Sequence, residues 1–133
     1  MQLKLTTDYA IRTVLYLAEN DRIVASSEIA EKMAIPRKYL INIIGTIKKA
    51  GLIDTHKGQQ GGYSLKLPPE EISLYDIIRA MEGEIAFNRC MESDGFCSRN
   101  AAAYCPVHSV YEEAQEKIIG YFKNINVKNL INR

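Results

Sequence analysis

Every cysteine of the chain lies in one polar stretch, CMESDGFCSRNAAAYCPVH, which spans residues 90–108. It contains Cys90, Cys97 and Cys105, and His108 follows the last cysteine by three residues. Thiolates and imidazoles are the protein ligands of iron–sulfur clusters and of zinc. Pro106 favours a helix start, which would bring Cys105 and His108 to the same side of the first turn. The spacing therefore predicts a metal centre with four protein ligands.

Other uses of these thiols stay open at this point. Structural zinc sites usually show two short paired spacings, whereas this stretch has only one, Cys105 to His108. Reversible thiol oxidation would also suit the stretch, and inert cysteines usually prefer a core to a polar loop. Three cysteines cannot all pair within one chain, which argues against a disulfide framework. Residues 1–9 lack a signal-peptide core and no apolar run approaches twenty residues, so we expect a cytoplasmic protein that does not contact a membrane.

The net charge of +1 hides a division along the chain. Residues 35–66 contain six basic residues against one acid, which gives that segment a charge of +5. Residues 67–100 contain three arginines against seven acids, which gives −4. A basic segment in a nearly neutral chain predicts a local contact with a polyanion.

The pattern of apolar residues predicts three helices, a hairpin and a fourth helix within residues 1–83. The third helix is predicted from Pro36 to Ala50, and the runs LIDTH and YSLKL flank a glycine-rich turn typical of a hairpin. Helix N-caps are predicted at Thr6 or Thr7, at Ser26 and at Ser73, where Asp76 would complete a capping box. Residues 84–105 show no periodicity, and loops of that length are usually functional or disordered.

A short helix, a tight turn, a basic helix and a glycine-tipped hairpin predict a winged helix-turn-helix, which is a mainly α fold with a small β-hairpin wing. A helix of this kind fills the major groove of double-stranded DNA, and the hairpin reaches the adjacent minor groove. The residues expected to contact DNA are Arg37, Lys38, Asn42, Thr46, Lys48 and Lys49 of the third helix and Lys57 and Gln59 of the wing.

Residues 106–123 predict the longest helix of the chain. Its apolar residues recur at spacings of four and three, as in helices that pair along a seam. Because the sequence shows no later element to cover this face, we expect a homodimer. The expected interface residues are Val107, Tyr111, Ala114, Ile118, Tyr121 and Phe122.

Three segments, TTDYAIRTVLYLA, IPRKYLINIIGTIKKAGLIDTHKGQQGGYSL and the cysteine stretch, resemble the Rrf2 family of bacterial transcriptional regulators. The resemblance covers nearly the whole chain. Members of that family include an iron–sulfur cluster regulator, a nitric-oxide-sensitive repressor and a cysteine-metabolism repressor. It implies a homodimer of winged helices joined by a long C-terminal helix. This sequence departs from the family pattern at Ile41, where the cluster regulator has an acidic base-reading residue, and at Lys57, where the wing usually has an arginine.

The resemblance also implies a ligand set. In cluster-binding relatives three loop cysteines hold the cluster, which assigns Cys90, Cys97 and Cys105. The fourth ligand is a histidine at the position of His108 in one group of relatives, and an aspartate of the other subunit at the position of Asp8 in another. We favour His108 as the fourth ligand. We also favour a 2Fe–2S cluster over a 4Fe–4S cluster, although the cysteine spacings are slightly longer than in the cluster regulator.

Together these observations predict a DNA-binding domain over residues 1–83, a cluster-binding loop over 84–105, and a dimerisation helix with a C-terminal tail over 106–133. We expect a transcriptional regulator that senses redox, iron–sulfur or nitric-oxide status through its cluster. The family that it resembles contains repressors. The alternatives are a thiol-redox or zinc-dependent regulator of the same fold and an iron–sulfur or metal carrier. No phosphate-binding loop, nucleophile elbow or paired-carboxylate motif occurs, so we do not expect an enzyme.

Overall fold

Helices and one hairpin follow each other along the chain in the order that the sequence predicts, and one further helix ends it. The computed structural model describes all residues, 1–133. Its elements are α1 (Leu5–Asn20), α2 (Ser26–Lys32), α3 (Arg37–Lys49), β1 (Ile53–His56), β2 (Gly62–Leu65), α4 (Leu74–Glu82), α5 (Pro106–Asn124) and α6 (Val127–Ile131). Single 3₁₀ turns lie at 69–71, 89–91 and 102–104. The predicted fold class, mainly α with a two-stranded antiparallel wing, is confirmed.

The core forms where the apolar faces of α1, α2, α3 and α4 meet. Helix α3 buries the four residues that its periodicity selects, Leu40, Ile43, Ile44 and Ile47. Burying a side chain of this size stabilises the fold by about 1.5–3 kcal/mol, so this face fixes the orientation of α3. The polar and basic residues of the helix consequently face outward.

The wing is a short antiparallel hairpin that is attached to the segment before α2. Ile53 pairs with Leu65, and Tyr63 also pairs with Val24 through reciprocal backbone hydrogen bonds of 2.9 Å. A Cβ atom added to Gly62 would lie 2.3 Å from the Val24 carbonyl oxygen, so this approach of two backbones requires glycine.

Two predicted helix caps are wrong and one is confirmed. Helix α1 begins at Leu5 after Lys4, and the Thr7 hydroxyl donates a hydrogen bond to Glu82 instead of capping the helix. Ser26 is the first residue of α2, and its side chain does not cap the helix. Ser73 and Asp76 do form the predicted capping box of α4.

The C-terminal part of the chain leaves the winged helix and returns to it. Helix α5 packs against α4, and α6 packs against α1, where Val127 is fully buried. The Leu74 N–H donates to the Ile125 carbonyl at 2.7 Å, and the Val127 N–H donates to the Ile72 carbonyl at 2.8 Å. The end of α5 is therefore hydrogen-bonded to the start of α4.

Helix α5 is the longest helix, yet none of its residues is buried. Neither α5 nor any other helix combines the length and apolar composition that crossing a bilayer requires.

Candidate nucleic-acid interface and metal site

The outward face of α3 is polar and cationic. Arg37 and Lys38 lie in its first turn, Lys48 and Lys49 lie in its last turn, and the helix contains no acidic residue. All the residues predicted to contact DNA on this helix are exposed, including Asn42 and Thr46. The Thr46 hydroxyl donates to the Asn42 carbonyl at 3.1 Å, which leaves its oxygen lone pairs available as acceptors.

The wing presents a further exposed cation. Lys57 and Gln59 are both exposed in the turn between β1 and β2, next to Gly58 at a φ of 104°. His56 Nε2 lies 2.7 Å from Ser64 Oγ, so the imidazole is held across the hairpin rather than directed outward. The wing thus offers the side chains of Lys57 and Gln59 to a ligand beside the protein.

Two of the three thiols and the imidazole line one cavity at the start of α5. Cys90, Cys105 and His108 line a cavity of about 430 Å³ between the loop and this helix. His108 Nδ1 lies 3.3 Å from Cys90 Sγ. Nitrogen and sulfur ligands of one tetrahedral metal ion, at distances of about 2.0 and 2.3 Å, would lie about 3.5 Å apart. The donor types and this separation fit a metal or iron–sulfur site.

Cys97 is separate from that group. It is half-buried and does not line the cavity, and no three of the thiols and the imidazole are assembled as a metal-ligand group. The backbone N–H groups of Ala101 and Arg99 near its thiol hold the pKa of Cys97 below its ordinary value. The segment around it, residues 92–100, is otherwise exposed.

The loop that contains the cysteines is ordered by its own polar contacts. Arg89 forms ion pairs with Asp94 and Glu92, and its guanidinium lies 5.2 Å from the centre of the Phe96 ring. The hydrogen bonds from Arg89 and from the Phe96 N–H lower the pKa of Asp94 to about 2. These contacts keep residues 89–96 together while leaving them on the surface.

Two residues of α5 near the cavity are not predicted by the sequence analysis. Glu112 lines the cavity one turn after His108. Gln115 Oε1 accepts a hydrogen bond of 3.1 Å from the Phe87 N–H and so fixes the start of the loop to the helix. The signal was their spacing of four and seven residues from His108, which places all three on one face of a helix.

Asp8, the alternative fourth ligand, does not line this cavity within the same chain. Its carboxylate is 2.6 Å from the Arg12 guanidinium, in an ion pair along α1.

A half-buried acid, Glu82, connects the first helix to the fourth. Glu82 accepts hydrogen bonds from the fully buried Thr7 hydroxyl and, at 2.8 Å, from the Lys4 N–H. Burial raises the pKa of Glu82, but these hydrogen bonds outweigh it and hold the pKa below its ordinary value. Because Glu82 is the last residue of α4, this contact ties α1 to the point where the cysteine loop begins.

The predicted dimer face of α5 is open to solvent. Val107 is 51% exposed, Ile118 39% and Tyr121 58%, whereas Tyr111, Ala114 and Phe122 are half-buried. A helix that leaves this much apolar surface exposed within its own chain is typical of an interaction face.

Comparison with known proteins places these features in context. The Rrf2 family model, described as "Iron-dependent Transcriptional regulator", matches residues 3–133. The HTH-type transcriptional regulator NsrR of Shouchella clausii is 31% identical over 134 residues, which are 98% of this chain and 89% of that protein.

Solved structures agree with that match. IscR of T. potens has a TM-score of 0.79 and 25% identity, covering 99% of this chain and 87% of that one. The oxidised form of Staphylococcus aureus CymR has a TM-score of 0.76 and 26% identity, covering 100% of this chain and 98% of that one.

Proposed function

The chain belongs to the Rrf2 family of transcriptional regulators, and we propose that it binds promoter DNA as a homodimer whose affinity follows the state of an iron–sulfur cluster. The proposed ligands are Cys90, Cys97, Cys105 and His108. In this proposal residues 1–83 bind DNA, residues 84–105 bind the cluster and residues 106–133 form the dimer.

One observation carries the cluster proposal: two thiols and an imidazole, which lie eighteen residues apart at most, line a single cavity on α5. Free thiols of a polar loop have no packing reason to converge on a histidine. A bound cluster would supply a redox-active and nitric-oxide-reactive iron centre at this place.

Binding of a cluster would change the conformation of the loop that contains the cysteines. Cys105 and His108 belong to the rigid start of α5, and Gln115 holds the base of the loop. Cys97 does not line the cavity, although Gly95 of the same exposed segment does, so segment 92–100 would have to rearrange for Cys97 to complete the ligand set. The position of this segment would therefore differ between the loaded and the empty protein.

Helices α4 and α5 would transmit that difference to the DNA-binding part. The loop begins two residues after Glu82, which accepts hydrogen bonds from Thr7 of α1 and from Lys4 just before that helix, and α5 packs against α4. A shift of the loop would thus act on the helices that support α3. In a homodimer formed through α5, it would alter the relative placement of the two recognition helices.

DNA binding itself is proposed for the exposed face of α3 and for the wing. Arg37, Lys38, Asn42 and Thr46 would lie toward base edges, Lys48 and Lys49 toward phosphates, and Lys57 and Gln59 toward the minor groove. Neutralising several phosphates makes affinity fall steeply with salt concentration.

A second candidate is a regulator of the same fold that responds to thiol oxidation and holds no cluster. The specific observation in its favour is the position of Cys97, which is separate from the other thiols and has a lowered thiol pKa. A thiolate at an accessible position is the form that oxidants attack.

Anaerobic purification followed by absorption spectroscopy and by iron, sulfide and zinc analysis tests the proposal. We expect a visible chromophore with iron and sulfide, and salt-dependent binding to duplex DNA that differs between loaded and cluster-free protein. One equivalent of zinc without iron would identify the zinc-dependent alternative. Metal-free protein whose DNA binding follows thiol oxidation would identify the second candidate. A cluster without any salt-dependent DNA binding would indicate a carrier.

A further inference from the structure

One apolar side chain stands out on the cationic face of α3. The other isoleucines of this helix are buried, but Ile41 is 69% exposed. It lies in the turn after Arg37 and Lys38 and next to the exposed Asn42 of the DNA-binding face. Single exposed isoleucines are common on proteins, so the exposure alone decides nothing.

The next turn of the same helix contains Gly45, and neither the packing nor the backbone conformation of the protein requires a glycine there. Glycine in the middle of a helix destabilises that helix relative to alanine. A Cβ atom added to Gly45 would meet no atom within 4 Å. The φ of Gly45 is not in the left-handed region either. Neither packing nor backbone conformation therefore explains the missing side chain.

Ile41 and Gly45 border a shallow depression on the surface of the protein. Its volume is about 620 Å³, and three of its lining residues, Gly45, Ala50 and Ala80, have at most a methyl side chain. Small side chains at these positions let an external surface approach the α3 backbone. Lys49 lies at the same depression, and Lys38 and Lys48 are exposed on the same helix, so the charge suits a polyanion.

We propose that Ile41 is a specificity-determining residue that reads thymine through its C5 methyl group, and that Gly45 provides the room for the base pair to approach. The thymine methyl is the apolar group that base pairs present in the major groove, and apolar side chains recognise it by contact. This inference rests on the proposed DNA-binding function and names the base that the site selects.

The test starts from duplexes selected from a randomised pool by the full-length protein. Each thymine of a selected duplex is replaced in turn by deoxyuridine, which removes only the methyl group. We expect wild-type protein to lose about fourfold in affinity at one thymine of each half-site, the loss that corresponds to one buried methyl group. Ile41→Ala should bind the thymine duplex with a similar loss and should show no further loss with deoxyuridine.

Two further variants separate recognition from folding. Ile23→Ala alters another exposed isoleucine outside α3 and should behave as wild type on both duplexes. Gly45→Ala should raise the thermal unfolding midpoint because alanine favours the helix. It should nevertheless lower affinity by roughly fivefold or more, because its methyl group would occupy the space of the base pair.

Equal affinity of wild-type protein for every deoxyuridine duplex would overturn the role of Ile41. Unchanged affinity of Gly45→Ala would overturn the close approach. If no duplex is enriched and binding does not depend on salt, the DNA-binding function itself fails, and that result is distinct from either of the others.

Discussion

At the scale of single residues, the three cysteines occupy two different environments. Cys90 and Cys105 face His108 across one cavity, whereas Cys97 lies near backbone N–H groups of residues 99–101. If all three are cluster ligands, each of them is required for the chromophore, although their positions differ. If only oxidation matters, Cys97 is the residue that responds.

Substitution of single cysteines distinguishes these two cases. Under the cluster proposal, Cys90→Ala, Cys97→Ala and Cys105→Ala should each abolish the visible absorption of anaerobically reconstituted protein, because no neighbouring thiolate can replace the missing one. Ser109→Ala alters a residue that lines the same cavity without being a proposed ligand, and it should keep the full absorption. Retention of the chromophore in Cys97→Ala would contradict the four-ligand set.

The fourth ligand can be identified in the same way. His108→Ala should leave a cluster that is labile or spectrally shifted, since water or another side chain can take the place of an imidazole. Asp8→Ala should leave absorption and cluster lifetime unchanged, because Asp8 pairs with Arg12 within its own chain. The reverse pattern would assign the fourth ligand to Asp8.

At the scale of elements, the contact between α1 and α4 depends on one acid. The side chain of Glu82 is 17% exposed and accepts the hydrogen bond of a buried hydroxyl. Glu82→Ala leaves that donor unpaired and should destabilise the fold by about 1–3 kcal/mol at neutral pH. Thermal or denaturant unfolding monitored by circular dichroism measures the change.

The same residue predicts a pH dependence. Because the folded pKa of Glu82 lies below its ordinary value of 4.5, its ionised form contributes stability above pH 4.5, and this contribution is lost as the pH falls through the folded pKa. Glu82→Gln keeps a carbonyl acceptor for Thr7 and Lys4, so unfolding of this variant should depend less on pH below 4.5. Identical pH profiles for wild type and Glu82→Gln would show that the ionised carboxylate is not important.

The wing offers a prediction about DNA. Lys57→Ala should weaken binding chiefly at duplexes with an A·T-rich flank, because a narrow minor groove concentrates negative potential. Lys66→Ala removes an equal charge from the same basic segment outside the wing turn and should weaken binding less, without a preference for the flank. Fluorescence anisotropy with paired A·T-rich and G·C-rich flanks measures both variants. An equal loss on the two flanks would place Lys57 outside the minor groove.

The order of elements could be predicted from the sequence because periodicity and turn residues act locally. The burial of α3 and the capping box at Ser73 both follow from residues within one or two turns. The failures at Thr7 and at α6 involve distant partners. Thr7 binds Glu82, 75 positions away, rather than capping its own helix. Helix α6 is only five residues long. An Asn126–Asn129 capping box begins it, but the helix is stabilised by packing against α1, which a local pattern does not reveal.

The candidate site was predictable in its residues but not in its arrangement. Three cysteines and a histidine define a donor set by type and spacing. Which donors meet depends on the path of a loop fixed by the Arg89–Asp94 pair and by Gln115, and such polar contacts leave no periodic signal in a sequence.

At the scale of the whole molecule, we expect the exposed apolar face of α5 to be covered by a second copy of the chain. Ile118→Asp places a charge in that face. In a dimer formed along α5 the charge would be buried without a partner, at about 3–5 kcal/mol. Sedimentation at micromolar concentration should then show monomers, with reduced affinity for duplex DNA. Asn124→Asp introduces the same charge at the end of the same helix and should remain dimeric. A monomeric wild-type protein would contradict the two-fold assembly.

The hydrogen bonds between the end of α5 and the start of α4 affect which arrangements of DNA half-sites the protein can bind. They join Ile125 to Leu74 and Ile72 to Val127. In the proposed dimer each DNA-binding domain is therefore held in a fixed position relative to the dimerisation helix α5. One added base pair between two half-sites lengthens the duplex by about 3.4 Å and rotates one half-site by about 35° relative to the other. A protein joined so firmly has little freedom to follow that rotation. Its binding sites should therefore share one fixed spacer length, which makes spacing as informative as base sequence in a search for its promoters.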